Sequence, residues 1–509
     1  MSPSSQDVRS TYFSRLRLQL DESITSLLNP RKLSVSNDFF RIDSVAIDPD
    51  QLPSSPVLRT IPEIDTRTND DNGRENAYVL TSGGGKTSLA KSVFNLANTT
   101  VGAGTLALPF FFSQCGWLLG LVILVLVAGL SDLSLHLLVD CGLFSEKRTY
   151  LNVARHAKGG AGARLVECTL LLLTFGAMTS YLVIIGDVAH QTIEVLSAAN
   201  TQISRALLSG CAIMLVAPLL FLKNLSSLAP ASILALAAVT WLVAIVVYDS
   251  ADFLIETSPS SASKRSLARI GGKFFFAVPT IALAYTNHTN LYEIIAEMER
   301  PTRKRISIMI HSTTAACTLI YALVGMMGYL RFGGDTQDDI ILNYSQNSPG
   351  EHDTSNVSMN RKRFMASGSI GIIICMVMSF PLLLFPCRNC FHILLRNALQ
   401  RCPQCVRHLN PNVYFVLETV FLVATSFGLS MVIPNLATCL GLTGALTGSL
   451  LVYILPAWFF LCLMKKQEAS IFFPEGMSLG KTLGAYTLLL LGFLVLVLGS
   501  GSIIYQSIV

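Results

Sequence analysis

The residues whose types and spacing most clearly suit ligand binding form a polar, glycine-containing run inside an apolar stretch near residue 100. Two glycines so close together favour an unwound turn, which frees backbone N–H groups at the start of one half-helix and carbonyl groups at the end of the other. Those groups suit an anion and a cation, respectively. Close packing of helices through small residues would explain the glycines but would leave the Asn and Thr side chains unexplained. We therefore predict a zwitterion site formed by Asn98, Thr99, Gly102, Ala103, Gly104 and Thr105.

A second polar run lies later in the chain, where Pro279 comes early and the polar side chains of residues 285–290 come late. From this run we predict Ala284, Asn287 and His288 as further substrate-binding residues. His288 is also a candidate for ion coupling, because an imidazole at membrane depth needs a partner and titrates near neutral pH. The equal alternative is a neutral histidine that is satisfied by a backbone carbonyl.

Few other charged residues lie inside the apolar stretches. Most of them are near the end of a stretch, where snorkelling or pairing with a loop is the simplest explanation. We single out Asp132, one helical turn before His136, as the strongest remaining candidate for ion coupling.

The elements that must position these residues are membrane spans. Of the 509 residues, 51% are hydrophobic and only 14% are charged, and the mean hydropathy is +0.53. Stretches of 18 or more apolar residues can each cross about 30 Å of hydrocarbon as a helix. The lipid bilayer is therefore a partner, and we predict about eleven spans, at 90–112, 116–139, 165–189, 205–222, 226–248, 273–296, 307–330, 366–386, 412–432, 435–463 and 483–507.

Basic residues predict the orientation of the spans, because cytosolic loops carry an excess of Lys and Arg. They cluster at 147–158, 300–305, 388–407 and 465–466, which are alternate loops. The N-terminus is then cytosolic. The loop at 331–365 is on the outer or lumenal side, where Asn343 and Asn356 would be glycosylation acceptors.

The fold class that follows is all-α and membrane-embedded. The interrupted spans are the first and the sixth, so we predict two inverted five-helix repeats around a midplane site, plus one extra helix. Residues 88–509 would form this transmembrane domain. Residues 1–87 are poor in aromatics and rich in polar residues, so we predict a disordered cytosolic tail.

Other patterns carry less weight. Cys387, Cys390, Cys402 and Cys405 form two CxxC pairs on a predicted cytosolic loop; they are candidate zinc ligands, although free or lipid-modified cysteines are the simpler alternative. The glycine-rich segment 81–87 lacks the first glycine and the preceding strand of a phosphate loop, so we expect no bound nucleotide. The net charge of +5 lies beside spans and does not indicate nucleic acid. No cofactor is expected apart from a transported cation.

The two polar runs also resemble the amino acid/auxin permease superfamily. Within it, they resemble the sodium-coupled neutral amino acid transporters of solute carrier family 38 and the vacuolar amino acid transporters of plants and yeast. The resemblance spans residues 88–507. It is carried by the segments Ser92–Asn98, Val101–Pro109, Val278–Asn290, Glu297–Thr302 and Phe380–Arg388.

This resemblance implies an eleven-helix secondary transporter that moves neutral or other amino acids in symport with sodium or protons. The sodium-site asparagine of the family corresponds to Asn98 and its eighth-helix hydroxyl to Ser379, where the sodium-coupled members usually have threonine. Serine keeps the oxygen ligand that a hard cation needs. The resemblance also implies a vacuolar, lysosomal or plasma membrane.

The sequence leaves two other function classes to consider, a sensor and a channel. An amino acid sensor built on a transporter scaffold could signal through the tail at 1–87. A channel would need a continuous polar pore, which the mostly apolar spans do not supply. An enzyme is not expected, because the spans contain no catalytic carboxylate pair, Ser-His unit or HExxH motif.

Overall fold

The computed structural model describes residues 85–102, 104–197, 203–221, 229–256, 265–271, 274–345, 356–399, 411–433, 435–468 and 479–508. These residues are helical apart from short connections and a single bridge between Thr87 and Met298. The predicted all-α membrane fold is therefore confirmed. The helices are α1 Leu89–Thr100, α2 Gly104–Cys115, α3 Trp117–Ser145, α4 Tyr150–Ser197, α5 Arg205–Leu220, α6 Ala229–Glu256, α7 Phe274–Ala284, α8 Leu291–Glu297, α9 Arg303–Phe332, α10 Ile340–Ser345, α11 Asn356–Leu399, α12 Pro411–Val432, α13 Leu436–Thr443, a π-helix Gly444–Ile454, α14 Leu455–Glu468, α15 Leu479–Leu494, a π-helix Val495–Gly499 and α16 Ser500–Ile508.

Polar residues fix where several of these helices begin. The side chain of Ser88 accepts a hydrogen bond from the Lys91 N–H at the start of α1, and that of Thr302 caps α9 in the same way. Asn435 accepts a hydrogen bond from the Thr438 N–H at the start of α13. Each cap satisfies one of the N–H groups that a helix leaves without a partner at its N-terminus.

The first and sixth predicted spans are both interrupted, as the sequence predicts. The first consists of α1 and α2, with the break between Thr100 and Gly104, and the sixth consists of α7 and α8, with the break between Ala284 and Leu291. The two interruptions lie five spans apart, as a five-plus-five arrangement requires.

Among the described residues, eight helices are long and apolar enough to cross a membrane, and they correspond to predicted spans two, three, five and seven to eleven. The fourth predicted span corresponds to α5, a shorter apolar helix. The first and sixth are pairs of short helices, so the described residues match the predicted layout while the exact count of eleven stays a prediction.

Two helices are longer than the spans predicted for them. Helix α4 begins at Tyr150 and not near 165, and it bends at Lys158 and Gly159, where Gly159 has a φ of 65°. Only glycine adopts such a φ without strain. Helix α11 continues to Leu399, which places residues of the predicted cytosolic loop inside a helix.

The helices pack as one bundle around the interrupted spans. Helix α11 lies along α4 and α6, while α9 contacts α1, α2 and α3. The π-helix Gly444–Ile454 packs against α7 so closely that a Cβ on Gly444 would lie 2.2 Å from the Pro279 carbonyl oxygen. A glycine is therefore required at this position for the two elements to approach.

Candidate substrate and cation site

A cavity of about 270 Å³ lies at the break of the first span. It brings together four residues that the sequence predicts to bind substrate or cation: Asn98 and Thr99 at the end of α1, Gly102 in the break, and Ser379 on α11. Ser379 is far from the other three residues in the sequence. The full lining is Asn98, Thr99, Val101, Gly102, Tyr181, Leu236, Val239, Asn290, Cys375, Met376, Ser379, Leu382 and Leu383.

None of these lining residues carries a formal charge. The polar groups are the amides of Asn98 and Asn290, the hydroxyls of Thr99, Tyr181 and Ser379, and backbone groups of the break. A charged side chain on a ligand would therefore have no opposite charge here to offset its desolvation. The lining suits a molecule whose own charges are balanced within a short distance.

The break in the first span interrupts the helical hydrogen bonds and leaves open space beside Gly102. The last helical hydrogen bond of α1 runs from the Val101 N–H to the Ala97 carbonyl (2.9 Å), and the next turn begins with the Thr105 N–H donating to the Gly102 carbonyl (3.0 Å). A Cβ on Gly102 would meet no atom within 4 Å. Backbone groups beside Gly102 are thus open to the cavity.

The breaks of the two interrupted spans touch. A Cβ on Gly104 would lie 3.3 Å from the Ala284 Cβ, so these predicted residues are direct neighbours. The Asn287 side-chain NH₂ donates to the Thr100 hydroxyl (2.9 Å). The buried Tyr321 hydroxyl of α9 lies 2.8 Å from the carbonyl oxygens of both Thr100 and Ala284. One tyrosine therefore bridges the C-terminal ends of α1 and α7.

Two buried side-chain oxygen atoms at the breaks have no hydrogen-bond partner among the described residues. They are the Thr105 hydroxyl oxygen and the Asn287 amide oxygen. A buried polar atom without a partner is costly, and such atoms at a helix break are typical of sites that a ligand or ion completes. The predicted neighbour Ala103 lies outside the described residues.

The structure does not bring His288 or Asp132 to the cavity. The His288 ring is fully buried, with its Nε2 atom 3.1 Å from the Ser134 hydroxyl and its Nδ1 atom without a partner among the described residues. Asp132 lies between α3 and α9 and contacts His136 and His311. Neither residue lines the cavity.

Sequence reasoning missed several residues of the site. Asn290 stands inside the polar run of the sixth span, so its type and position were a usable signal. Tyr181 and Cys375 lie in long apolar spans, and Tyr321 is one tyrosine among fourteen. Nothing in their local sequence distinguishes them, because their roles arise only from contacts with distant helices.

The predicted zinc ligands are not arranged as expected. Cys387 and Cys390 lie inside α11 and not in a loop, and Cys387 is fully buried. A buried cysteine behaves as a small hydrophobic residue, which suits a helix that continues past the pair. Cys402 and Cys405 lie outside the described residues, so the zinc site stays a prediction.

The glycosylation acceptors occupy the predicted outer loop. The Asn343 amide nitrogen donates to the Asp335 carbonyl (2.9 Å), and its amide oxygen accepts from the Gln337 N–H (2.8 Å). Asn343 therefore holds this loop together. Asn356 is the first residue of α11, and its glycosylation, like that of Asn343, stays a prediction.

A bundle of apolar helices with an uncharged polar cavity at the breaks of two interrupted spans is the architecture of a membrane transporter. Residues 85–504 match the family model described as "Transmembrane amino acid transporter protein". The chain belongs to this family of transporters. The resemblance stated from the sequence, and the expectation that the chain is not an enzyme, are thereby confirmed.

Individual relatives agree with this membership. The chain is 28% identical to vacuolar amino acid transporter 5 of Schizosaccharomyces pombe, over 73% of this chain and 84% of that one. It is 27% identical to the amino acid transporter AVT6E of Arabidopsis thaliana, over 82% of this chain and 83% of that one.

A longer relative matches only in part. The chain is 29% identical to solute carrier family 38 member 10 of Mus musculus, over 72% of this chain but only 32% of the mouse protein. Among solved structures, MhsT in complex with L-phenylalanine overlays with a TM-score of 0.49 at 9% identity, over 83% of this chain and all of that one.

Proposed function

We propose that this protein is a secondary active transporter that moves neutral amino acids across a membrane by alternating access. The observation that carries the proposal is the cavity at the break of the first span, whose polar lining has no formal charge. A neutral amino acid has one carboxylate and one ammonium group close together and an uncharged side chain. Such a molecule matches exposed backbone groups and the uncharged lining.

The carboxylate binds at the backbone N–H groups of Gly102 and Gly104, where α2 begins. The ammonium group binds at the carbonyl oxygens where α1 and α7 end, near Thr100 and Ala284. These two carbonyls already accept from Tyr321, but a carbonyl oxygen has two lone pairs and can accept a second hydrogen bond. The apolar residues of α6 and α11 then surround the substrate side chain.

A cation drives the transport, and we propose sodium or a proton. Asn98 and Ser379 line the same cavity and offer the uncharged oxygen atoms that a hard cation prefers. A cation that binds beside the substrate raises the substrate affinity, and the substrate must then raise the cation affinity by the same factor. This reciprocity is what makes symport possible.

The membrane in which the protein resides is inferred from its relatives. One relative of similar length is named a vacuolar amino acid transporter. We propose a vacuolar or lysosomal membrane, or else the plasma membrane, with the N-terminus in the cytosol.

The deciding experiment is uptake of labelled neutral amino acids into proteoliposomes, with sodium and pH gradients imposed separately. Accumulation that disappears when an ionophore collapses the gradient supports the proposal and identifies the ion. Protein-free liposomes are the control. Specific amino acid binding without any flux under either gradient would contradict transport and would favour a sensor.

A further inference from the structure

A cluster of Asp132, His136 and His311 lies outside the cavity, between α3 and α9. Asp132 and His136 stand one turn apart on α3, so both side chains lie on the same face of the helix. His311 reaches them from α9. A carboxylate oxygen of Asp132 lies 2.9 Å from the His311 Nδ1 atom, and the other lies 3.4 Å from the His136 Nδ1 atom.

We propose that these three residues form a binding site for a transition-metal ion of the zinc class. Two imidazoles and one carboxylate are a ligand set that such ions prefer, and three protein ligands leave one position open for water. Each residue can offer one ligand atom such that all three atoms lie within 4.8 Å of one another. Metal–ligand bonds of about 2.1 Å in a tetrahedral site place ligand atoms about 3.4 Å apart, so a small rearrangement of the side chains admits the ion.

The surroundings also fit a metal site. The His136 Nε2 atom lies 3.1 Å from the Ser307 hydroxyl, so the ring nitrogen opposite Nδ1 has the outer partner that metal-bound histidines usually have. Ser307 stands one turn before His311 on α9 and faces the same way. The His136 Nδ1 atom also lies 2.8 Å from the Asp132 carbonyl oxygen, a contact that metal binding replaces.

The His311 end of the cluster is exposed, and among the described residues the Asp132 carboxylate pairs only with the two histidines of the cluster. The His311 side chain is 60% exposed, whereas that of Asp132 is 19% exposed. The basic side chains of Arg303 and Lys481 are held by Asp140, two turns further along α3. In the predicted topology, this surface is in the cytosolic half of α3 and α9, so a bound ion would cross-link the two helices there.

The test is a titration of the purified full-length protein with Co²⁺, followed by displacement with Zn²⁺. It is done in a Cys402→Ser, Cys405→Ser background, because those cysteines are themselves candidate metal ligands. We expect one Co²⁺ per chain, with the visible absorption of nitrogen and oxygen ligands and without a thiolate charge-transfer band. His311→Ala and Asp132→Asn should each weaken binding at least about tenfold, because loss of even an outer-sphere partner costs about 10–100-fold in affinity.

A matched control is His190→Ala. His190 also stands one turn from a carboxylate, with 3.8 Å between its Nδ1 atom and Glu194, but it belongs to no three-ligand group among the described residues. It should bind Co²⁺ like the parent. Because His311 is exposed, His311→Ala and His311→Asn should remain monodisperse. Equal Co²⁺ affinity in the parent and both His311 variants, or no stoichiometric binding by the parent, would overturn the proposal.

Discussion

Asn98 is the single side chain that the sequence and the cavity both connect to substrate and cation. It stands two residues before the end of α1 and lines the cavity together with Ser379. Its amide oxygen can bind a cation while its N–H groups remain free for a carboxylate. Loss of this side chain should therefore affect both ligands.

We expect Asn98→Ala to weaken the apparent affinities for amino acid and cation by about 10–100-fold each, which corresponds to about 1.5–3 kcal/mol for a hydrogen bond to a charged group. Asn95→Ala is the control, because Asn95 stands one turn earlier on α1 and does not line the cavity. Uptake measured against substrate and cation concentration checks this. Normal uptake by Asn98→Ala at low cation concentration would show that Asn98 is not a ligand.

At the residue scale, Asp339 predicts that the stability of the folded protein depends on pH. This residue lies in the predicted outer loop, between α9 and α10. Its Oδ1 atom accepts from the Ile341 N–H (2.9 Å), while its Oδ2 atom is buried without a partner among the described residues. Burial raises the pKa of Asp339 to about 8, although the hydrogen bond from Ile341 opposes this shift, and the charge of Asp338 adds to it. The folded protein therefore holds a proton that the unfolded chain releases near pH 4.

Because the pKa of Asp339 is raised on folding, its contribution to stability is complete at low pH and is lost as the pH rises towards about 8. We expect the thermal unfolding temperature of the wild type to fall between about pH 4 and 8, and this fall to be smaller in Asp339→Asn. Asp335→Asn, in the same loop but exposed, should behave like the wild type. Parallel pH profiles for the wild type and Asp339→Asn would contradict the raised pKa.

At the scale of elements, the half-helices are the parts whose relative positions decide the site. Helices α1 and α7 end beside each other, and Tyr321 of α9 contacts the last carbonyl groups of both. Gly104 allows α2 to begin against Ala284. These contacts couple the breaks of the first and sixth spans, so a movement of one half-helix should be transmitted to the other.

We expect Tyr321→Phe to reduce the maximal transport rate several-fold and to cost about 1–3 kcal/mol in stability, because two carbonyls lose a buried donor. Tyr150→Phe is the matched control, since its hydroxyl also donates to a buried carbonyl, that of Leu451 (3.2 Å), and neither residue lines the cavity. It should lose stability but keep its transport rate once the amount of folded protein is equalised. An equal loss of rate in both variants would mean that Tyr321 acts only on stability.

At the scale of the whole molecule, the described chain begins with a segment that contacts the bundle. The Thr87 N–H donates to the Glu297 carbonyl (3.0 Å), and the Glu299 N–H donates to the Thr87 carbonyl (2.8 Å). A Cβ on Gly85 would lie 2.0 Å from the Glu297 carbonyl oxygen. Residues 85–88 thus join the start of α1 to the connection between α8 and α9.

We expect deletion of residues 1–84 to leave transport unchanged, because this pairing is retained. Deletion of residues 1–87, or Gly85→Val, should lower the transport rate, because α1 loses its attachment to the end of α8. Uptake per folded protein in proteoliposomes compares the three. If deletion of 1–84 abolished flux, the tail would belong to the transport machinery. Loss of a signalling output with flux intact would support a sensor.

The sequence by itself determined the class of the molecule and the positions of its breaks. Long apolar stretches must become helices in a bilayer, because every backbone polar group needs a partner within its own segment. Clustered Gly, Pro and polar residues at 98–109 and 279–290 mark where that rule is relaxed. These signals are local, so one chain was enough to predict both interruptions and the residues Asn98 and Gly102, whereas the transporter family was predicted from the resemblance of the same segments to known members.

The tertiary structure alone decided which residues share a site. Tyr181, Cys375 and Tyr321 join the breaks because helices far apart in sequence pack together. Asp132, by contrast, faces His311 and not the cavity. Helix ends were also decided by packing: α11 continues past Cys387 because that side chain is buried against neighbouring helices. Local sequence limits the conformation of a segment, but long-range contacts determine its neighbours, and those neighbours define the site.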